Sequence, residues 1–133
     1  MRPLIVTALR DELRDCAMPD DYAVLFTGVG KVNAAMALTE ALLSTPASMV
    51  INFGTAGAID ANTRGLHEHR VDVVDMELFA IAAVCRRLQI PWRSFKFVSD
   101  SADENAAEDW QGNVDRGAAS FLAQLERLRT DTR

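Results

Sequence analysis

Three short apolar runs, each emptying at once into small or glycine-rich residues, constrain this chain more than any other feature. Pro3 to Thr7 (PLIVT), Ala23 to Thr27 (AVLFT) and Met49 to Phe53 (MVINF) are rich in β-branched and leucine side chains. Their apolar character is nearly continuous, broken in the third by Asn52, as in strands of a parallel sheet covered on both faces. Between them lie helical patterns. Ala8 to Cys16 places Leu9, Leu13 and Cys16 at the i, i+4, i+7 spacing of one helix face. After the turn chemistry of Met18-Pro19-Asp20-Asp21, a second helix is predicted over Val32 to Leu43, with Val32, Ala35, Met36, Leu42 and Leu43 toward a sheet and Ser44-Thr45-Pro46 as its stop. Three strand, loop and helix units in a row predict an α/β fold. Its central sheet is mostly parallel or mixed, with helices on both faces and the functional loops along one edge.

The pattern breaks at Asp60 to Arg70 (DANTRGLHEHR), which is polar and has neither period. Val71 to Val74 resumes as a strand, and Met76 to Leu88 reads as a helix with Phe79, Ala80, Ala83 and Val84 inward. Arg86 and Arg87 complement the negative end of its dipole. Trp92 to Val98 is a further strand that stops at Ser99-Asp100. A last helix, Val114 to Arg129, carries Ala118, Phe121, Leu122, Leu125 and Leu128 at helical spacing.

At 133 residues the chain is expected to form one domain, and 49% hydrophobic with 25% charged residues suits a soluble globular protein. No apolar run approaches the roughly 20 residues that cross a bilayer, and Met1-Arg2-Pro3 leads straight into a strand without the zones of a secretory signal. A cytoplasmic location is the expectation. The formal net charge of −5 argues against nucleic acid or anionic membrane as a partner, since both reward a basic face. Cys16 and Cys85 each fall inside a helical pattern and read as packed thiols. His67 and His69, at i, i+2 with no third ligand nearby, read as an exposed loop, so no metal and no cofactor is expected.

Two carboxylates, Glu77 and Asp100, sit where ordered elements start and stop, which is where open α/β sheets gather ligand-binding groups. Glu12 lies close behind the carboxyl end of the first strand, as part of either a solvated helix face or a site. Gly28-Val29-Gly30-Lys31 suits close backbone approach to a ligand at a helix N-terminus, or simply a tight strand-to-helix turn; it lacks Walker spacing. Gly54 to Ala58 is a second small-residue loop at a strand end. Asp100 is either a helix N-cap or a catalytic acid.

Five segments together carry a resemblance. They are Thr7-Ala8-Leu9-Arg10-Asp11-Glu12, Thr27-Gly28-Val29-Gly30-Lys31-Val32-Asn33-Ala34-Ala35, Asn52-Phe53-Gly54-Thr55-Ala56-Gly57, Val74-Asp75-Met76-Glu77 and Val98-Ser99-Asp100-Ser101-Ala102-Asp103. In this order they resemble the purine nucleoside phosphorylase and nucleosidase superfamily, above all the nucleosidases that hydrolyse methylthioadenosine and adenosylhomocysteine. The resemblance implies a phosphorylase/hydrolase-like fold, a purine nucleoside as small-molecule partner, no cofactor and a homodimer. It implies that Asp100 protonates N7 of the purine, that Met76 and Glu77 lie under the ribose with Glu77 on its 2′- and 3′-hydroxyls, and that Glu12 activates water. Thr55 and the Gly28 to Gly30 turn would line the water or phosphate site, and Ser99 would orient Asp100. Lys96, counted with the substrate-binding residues, stands where many relatives have arginine, so a cation is kept and a bidentate fork lost.

The implied chemistry is coherent. Cleaving an N-glycosidic bond through an oxocarbenium-like state needs an acid on the departing base, a base for water and carboxylate charge near the sugar. Two other readings stay open: a phosphate-dependent phosphorylase, and a non-catalytic remnant that binds a nucleoside or is structural. The family has a long section between the Gly57 loop and Val71, bearing residues that stack on the base and reach the 5′ group. Here Ala58 to Arg70 spans that interval, so the single domain of residues 1–133 is expected to be shortened or interrupted near 58–70.

Overall fold

The computed structural model describes residues 1–14, 16–58, 73–100 and 106–131, with backbone alone at 58, 73, 100, 106, 107, 109 and 131. In chain order the elements are β1 (Leu4–Thr7), a 3-10 turn (Arg10–Leu13), β2 (Ala23–Phe26), α1 (Lys31–Ser44) and β3 (Val50–Ala58). β4 (Val73–Val74), α2 (Leu78–Arg87), β5 (Trp92–Asp100) and α3 (Ala106–Asp131) follow. β1 is parallel to β2 and β3, and β3 is parallel to β5, so the parallel part of the sheet runs β2-β1-β3-β5. β4 adds an antiparallel pair, Val73 and Val74 opposite Ala58 and Gly57. The α/β fold with a mixed, mostly parallel sheet is as expected.

Strand side chains alternate between the two faces, and both faces are covered. Leu4, Val6 and Val50 join Ala34, Leu38 and Leu42 of α1 and Ala80, Ile81 and Cys85 of α2 in one apolar cluster. Ile5, Ile51 and Phe53 face the other way, against Leu13 and against Phe121 and Leu125 of α3. Phe53 and Phe121 stack with ring centroids 4.3 Å apart. Cys85 is wholly buried, as a packed thiol should be, and burial pushes it up to about 11. Asn52, the one polar residue in the third apolar run, reaches across the sheet. Its amide donates to the Val6 carbonyl at 3.0 Å and its oxygen accepts from the Ser94 hydroxyl at 2.9 Å, so β1, β3 and β5 share one satisfied buried polar group.

Several expected boundaries are corrected. Ala8 to Cys16 is not a helix. Within it Arg10–Leu13 forms a single 3-10 turn, with N–H to carbonyl bonds from Glu12 to Leu9 at 3.2 Å and from Arg14 to Asp11 at 3.3 Å. Short helices draw their stability from packing an apolar face, and of the three apolar positions only Leu13 is buried, while Leu9 stays exposed. The Glu12 carboxylate also turns back onto the N–H groups of Ala8 and Leu9, which tightens the turn. Gly54 to Ala58 is not a loop either. These residues extend β3, because β5 supplies partners for them: Gly54 pairs with Lys96, Thr55 with Phe97 and Ala56 with Val98. Cross-strand partners outweigh the weak strand propensity of glycine and alanine. The register then slips, Gly57 pairing with Asp100, so Ser99 is an inserted residue at the strand end.

Helix faces also differ from the periodic reading. α1 packs through Ala34, Leu38 and Leu42, leaving Val32, Met36 and Leu43 exposed. On α2 it is Ala80, Ile81 and Cys85 that face inward, with Phe79 and Ala83 outward. α3 begins eight residues before the expected Val114.

Two glycines within α3 make a contrast. A methyl group on Gly117 would come within 3.0 Å of the Phe97 ring, whereas one on Gly112 would meet nothing within 4 Å. Alanine is favoured over glycine in a helix by about 1 kcal/mol, and overpacking costs about 1–3 kcal/mol. Urea denaturation is therefore expected to find Gly112→Ala more stable than the parent and Gly117→Ala less stable.

Candidate active site

The carboxyl ends of the parallel strands bring charged side chains together around Glu12. This residue is 4% exposed, and its carboxylate is surrounded by donors. Oε2 accepts the Thr7 hydroxyl at 2.7 Å and the N–H groups of Ala8 and Leu9 at 3.1 and 3.0 Å. Oε1 accepts the Thr55 N–H at 2.9 Å and the Thr55 hydroxyl at 3.0 Å. A carboxylate withdrawn from water is tolerated only when its lone pairs are filled, and here β1 and β3 fill them jointly. The Thr55 oxygen in turn accepts the indole N–H of Trp110 at 2.8 Å. A hydroxyl has one proton, so with Trp110 donating to it, Thr55 gives that proton to Glu12.

β2 hands over to α1 through Gly28 and Gly30, whose φ angles of 78° and 98° lie in the left-handed region open to glycine. The Gly30 N–H points out of the α1 N-terminus, where anions are favoured. A protein group takes it: Glu77 Oε1 accepts that N–H at 2.8 Å. Burial pushes the Glu77 carboxyl above its ordinary range. The Gly30 N–H opposes this, Asp75 raises it further, Lys96 lowers it and Glu12 raises it.

Asp75 connects the parts. Its Oδ1 accepts the N–H groups of Glu77 at 3.0 Å and Leu78 at 2.5 Å, which caps α2. Its Oδ2 pairs with Lys96 Nζ at 2.5 Å, both side chains being about one-tenth exposed. Lys96 crosses the bare flank of Gly54. A Cβ there would lie 2.9 Å from Lys96 Nζ and 3.5 Å from Glu12 Oε1.

Of the residues singled out in the sequence, Glu12, Thr55, Gly30, Glu77 and Lys96 thus belong to one network, with Gly28 in the turn beside it. Lys96 is engaged with Asp75 rather than open to solvent. Met76 is exposed next to Glu77. Ser99 is buried, its carbonyl accepting the Asn113 amide at 3.1 Å. The Asp100 backbone pairs with Gly57 at the same end of the sheet; its side chain, His67 and His69 lie outside the described residues. Among the described residues no group of three or more His, Cys, Asp or Glu is arranged to hold a metal.

Sequence reasoning assigned no role to Thr7, Asp75 or Trp110. Asp75 had a legible signal, an aspartate just ahead of a helix, which is capping chemistry. Trp110 had none, since its partner is 55 positions away. A cavity of about 850 Å³ lies at the opposite end of the strands between Pro3, Met49, Arg93 and Arg129. Its Arg129 is already paired with Asp21 and Glu126, and the titratable network is at the other end.

Residues 60–129, more than half of the chain, match the family model described as the phosphorylase superfamily. The chain belongs to this superfamily. Solved structures agree in fold. The 5′-methylthioadenosine/S-adenosylhomocysteine nucleosidase of Neisseria meningitidis, in complex with methylthio-immucillin-A, is 19% identical with a TM-score of 0.72, over 89% of this chain and 94% of that one. The Streptococcus pneumoniae nucleosidase, in complex with 8-aminoadenine, is 17% identical with a TM-score of 0.77, over 94% of this chain and 99% of that one. A futalosine hydrolase mutant of Helicobacter pylori is 14% identical with a TM-score of 0.72, over 92% of this chain and 97% of that one.

The raised carboxyl of Glu77 has a consequence for stability. A group whose folded pKa is raised contributes fully below its unfolded pKa, and the contribution is lost as pH rises through the folded pKa. Glu77→Gln keeps an oxygen for the Gly30 N–H and removes the charge. Calorimetry is expected to find its Tm above the parent's at about pH 8 and equal to it below about pH 4, where Glu77 is protonated in both states.

Proposed function

We propose that this chain hydrolyses the N-glycosidic bond of a purine nucleoside of the methylthioadenosine or adenosylhomocysteine type, releasing the base. The observation that carries the reading is how the anion-binding donors at the strand ends are occupied. Glu12 takes the N–H groups of Ala8, Leu9 and Thr55, and Glu77 takes the Gly30 N–H at the α1 N-terminus. A phosphorylase needs those donors, and free cations, for its phosphate. Here Lys96 is paired with Asp75, the Arg10 guanidinium lies over the Phe26 ring, 4.5 Å from its centroid, and Lys31, exposed at the start of α1, is left as the cation beside the glycine turn. Carboxylates in place of phosphate favour water as the nucleophile.

In this reading Glu12 is the general base. Its five donors fix the orientation of the carboxylate, and a positioned carboxylate can take a proton from water. Glu77 accepts from the ribose hydroxyls, and its charge, with that of Glu12, opposes the positive charge of an oxocarbenium-like transition state. Asp100, at the end of β5 opposite Gly57, is the acid for N7 of the leaving base, with Ser99 beside it. Met76 meets the sugar, and the Gly28 to Gly30 turn and Thr55 bound the water site. The ligands named for the nucleosidases of N. meningitidis and S. pneumoniae, a methylthio-immucillin and an aminoadenine, support an adenine nucleoside with a thioether tail. In this reading residues 1–133 act as a single domain, shortened or interrupted near 58–70.

A homodimer is part of the proposal. Val32 and Met36 of α1 and Phe79 of α2 are 72%, 68% and 76% exposed, on the two helices that cover the same face of the sheet, with Met76 nearby. Apolar side chains gathered in this way mark an interaction surface. Light scattering coupled to gel filtration is expected to find a dimer for the parent and a monomer for Phe79→Glu.

Adenine release from methylthioadenosine, followed spectrophotometrically in phosphate-free buffer, tests the reaction. Asp100→Asn is expected to lower kcat by roughly 10²- to 10⁴-fold, the usual worth of a general acid, with an unchanged circular dichroism spectrum. A rate that requires phosphate would reverse the choice of nucleophile. Binding of adenine by calorimetry without turnover would make the chain a nucleoside-binding remnant.

A further inference from the structure

We propose that the buried Asp75–Lys96 ion pair is a positioning device that couples Glu77 to Glu12, and is not itself a substrate contact. The geometry assigns Asp75 two separate tasks. Oδ1 holds the consecutive N–H groups of Glu77 and Leu78, so the backbone that aims Glu77 is anchored directly to the aspartate. Oδ2 holds Lys96 Nζ, which arrives from β5. The ammonium then lies across the bare flank of Gly54 in β3, the flank that Glu12 Oε1 also approaches. The segment before α2, β3, β5 and the 3-10 turn therefore meet around one positive charge.

Electrostatics give the arrangement its purpose. Glu12, Asp75 and Glu77 place three carboxylates in one poorly solvated cluster, and among the described residues Lys96 is the cation whose field reaches Glu77. The groups that face Glu77 are Asp75 from its own segment, Lys96 from β5, Glu12 from the 3-10 turn and the Gly30 N–H from α1. Lys96 offsets the mutual repulsion of Glu12 and Glu77, so that both can lie near one another with little solvent. The side chain passes where Gly54 leaves room, since a Cβ there would lie 2.9 Å from Lys96 Nζ.

The catalytic consequence rests on the nucleosidase reading; the coupling itself does not. Glu77 carboxyl ¹³C shifts, assigned by their loss in Glu77→Gln, are followed against pH in the folded parent, Lys96→Met, Lys96→Arg and Asp75→Asn. Lys96→Met is expected to move the Glu77 titration to higher pH, and Asp75→Asn to lower pH, although both break the same ion pair. Lys96→Arg keeps the parent's titration. A merely structural pair would move Lys96→Met and Asp75→Asn in the same direction or not at all, and either result overturns the proposal, as does Lys96→Arg behaving like Lys96→Met. Should Lys96→Met fail to fold, Gly54→Ala, whose methyl displaces the ammonium, is expected to move the titration upward in its place. In the active enzyme, Lys96→Met is expected to lower kcat/KM roughly 10- to 100-fold, mainly through KM, with the acid limb of the pH profile moving as the titration does. A parent that releases no base sinks the nucleosidase reading and leaves the titration to decide the coupling.

Discussion

A carboxylate removed from water and held by five donors is the interaction on which the site depends. Glu12 draws those donors from Thr7 at the end of β1, from the two residues after it, and from Thr55 well along β3. Few other arrangements allow so buried an acid, because an unpaired charge in this environment costs several kcal/mol. Satisfying it determines local structure as well: it tightens the chain after β1 and ties the middle of β3 to it. The site and the fold are stabilised by the same bonds.

The parallel sheet makes that possible. Four parallel strands end on one side, where their last residues can direct N–H groups and side chains to a common place. Both faces are sealed, by α1 and α2 on one side and by α3 with the 3-10 turn on the other, so the open edge is the natural place for polar chemistry. The slip of register after Ala56 adds Ser99 to β5 and places Asp100 opposite Gly57. A bulge at a strand end re-aims the residue that follows it, and here that residue is Asp100, the proposed acid.

Clustered acids also work against the fold. Glu77 is raised above its ordinary range by burial, with Asp75 and Glu12 adding to the effect, and the Gly30 N–H and Lys96 oppose it. A neutral group at this position would remove that repulsion and favour the fold at neutral pH. The same network explains two features that sequence alone makes look arbitrary. Gly54 stays bare because Lys96 occupies its flank, and Asp75 precedes α2 because the helix start and the ion pair both need it.

The sequence by itself determined the α/β class, most of the strands, the helices behind them and the acidic candidates. Those depend on local runs such as PLIVT and AVLFT, on periodic spacing, and on motifs such as Val74-Asp75-Met76-Glu77. The tertiary structure decided what depends on distant partners. Gly54 to Ala58 reads as loop until β5 lies beside it, Ala8 to Cys16 reads as helix until Glu12 turns back on Ala8 and Leu9, and Phe79 reads as core until Ile81 takes that place. Trp110 and Lys96 gain their meaning only from Thr55 and Asp75. The reason is physical: propensity and periodicity act over a few neighbouring residues, whereas burial of charge, strand pairing and close approach to a bare glycine are set by whatever the fold brings alongside.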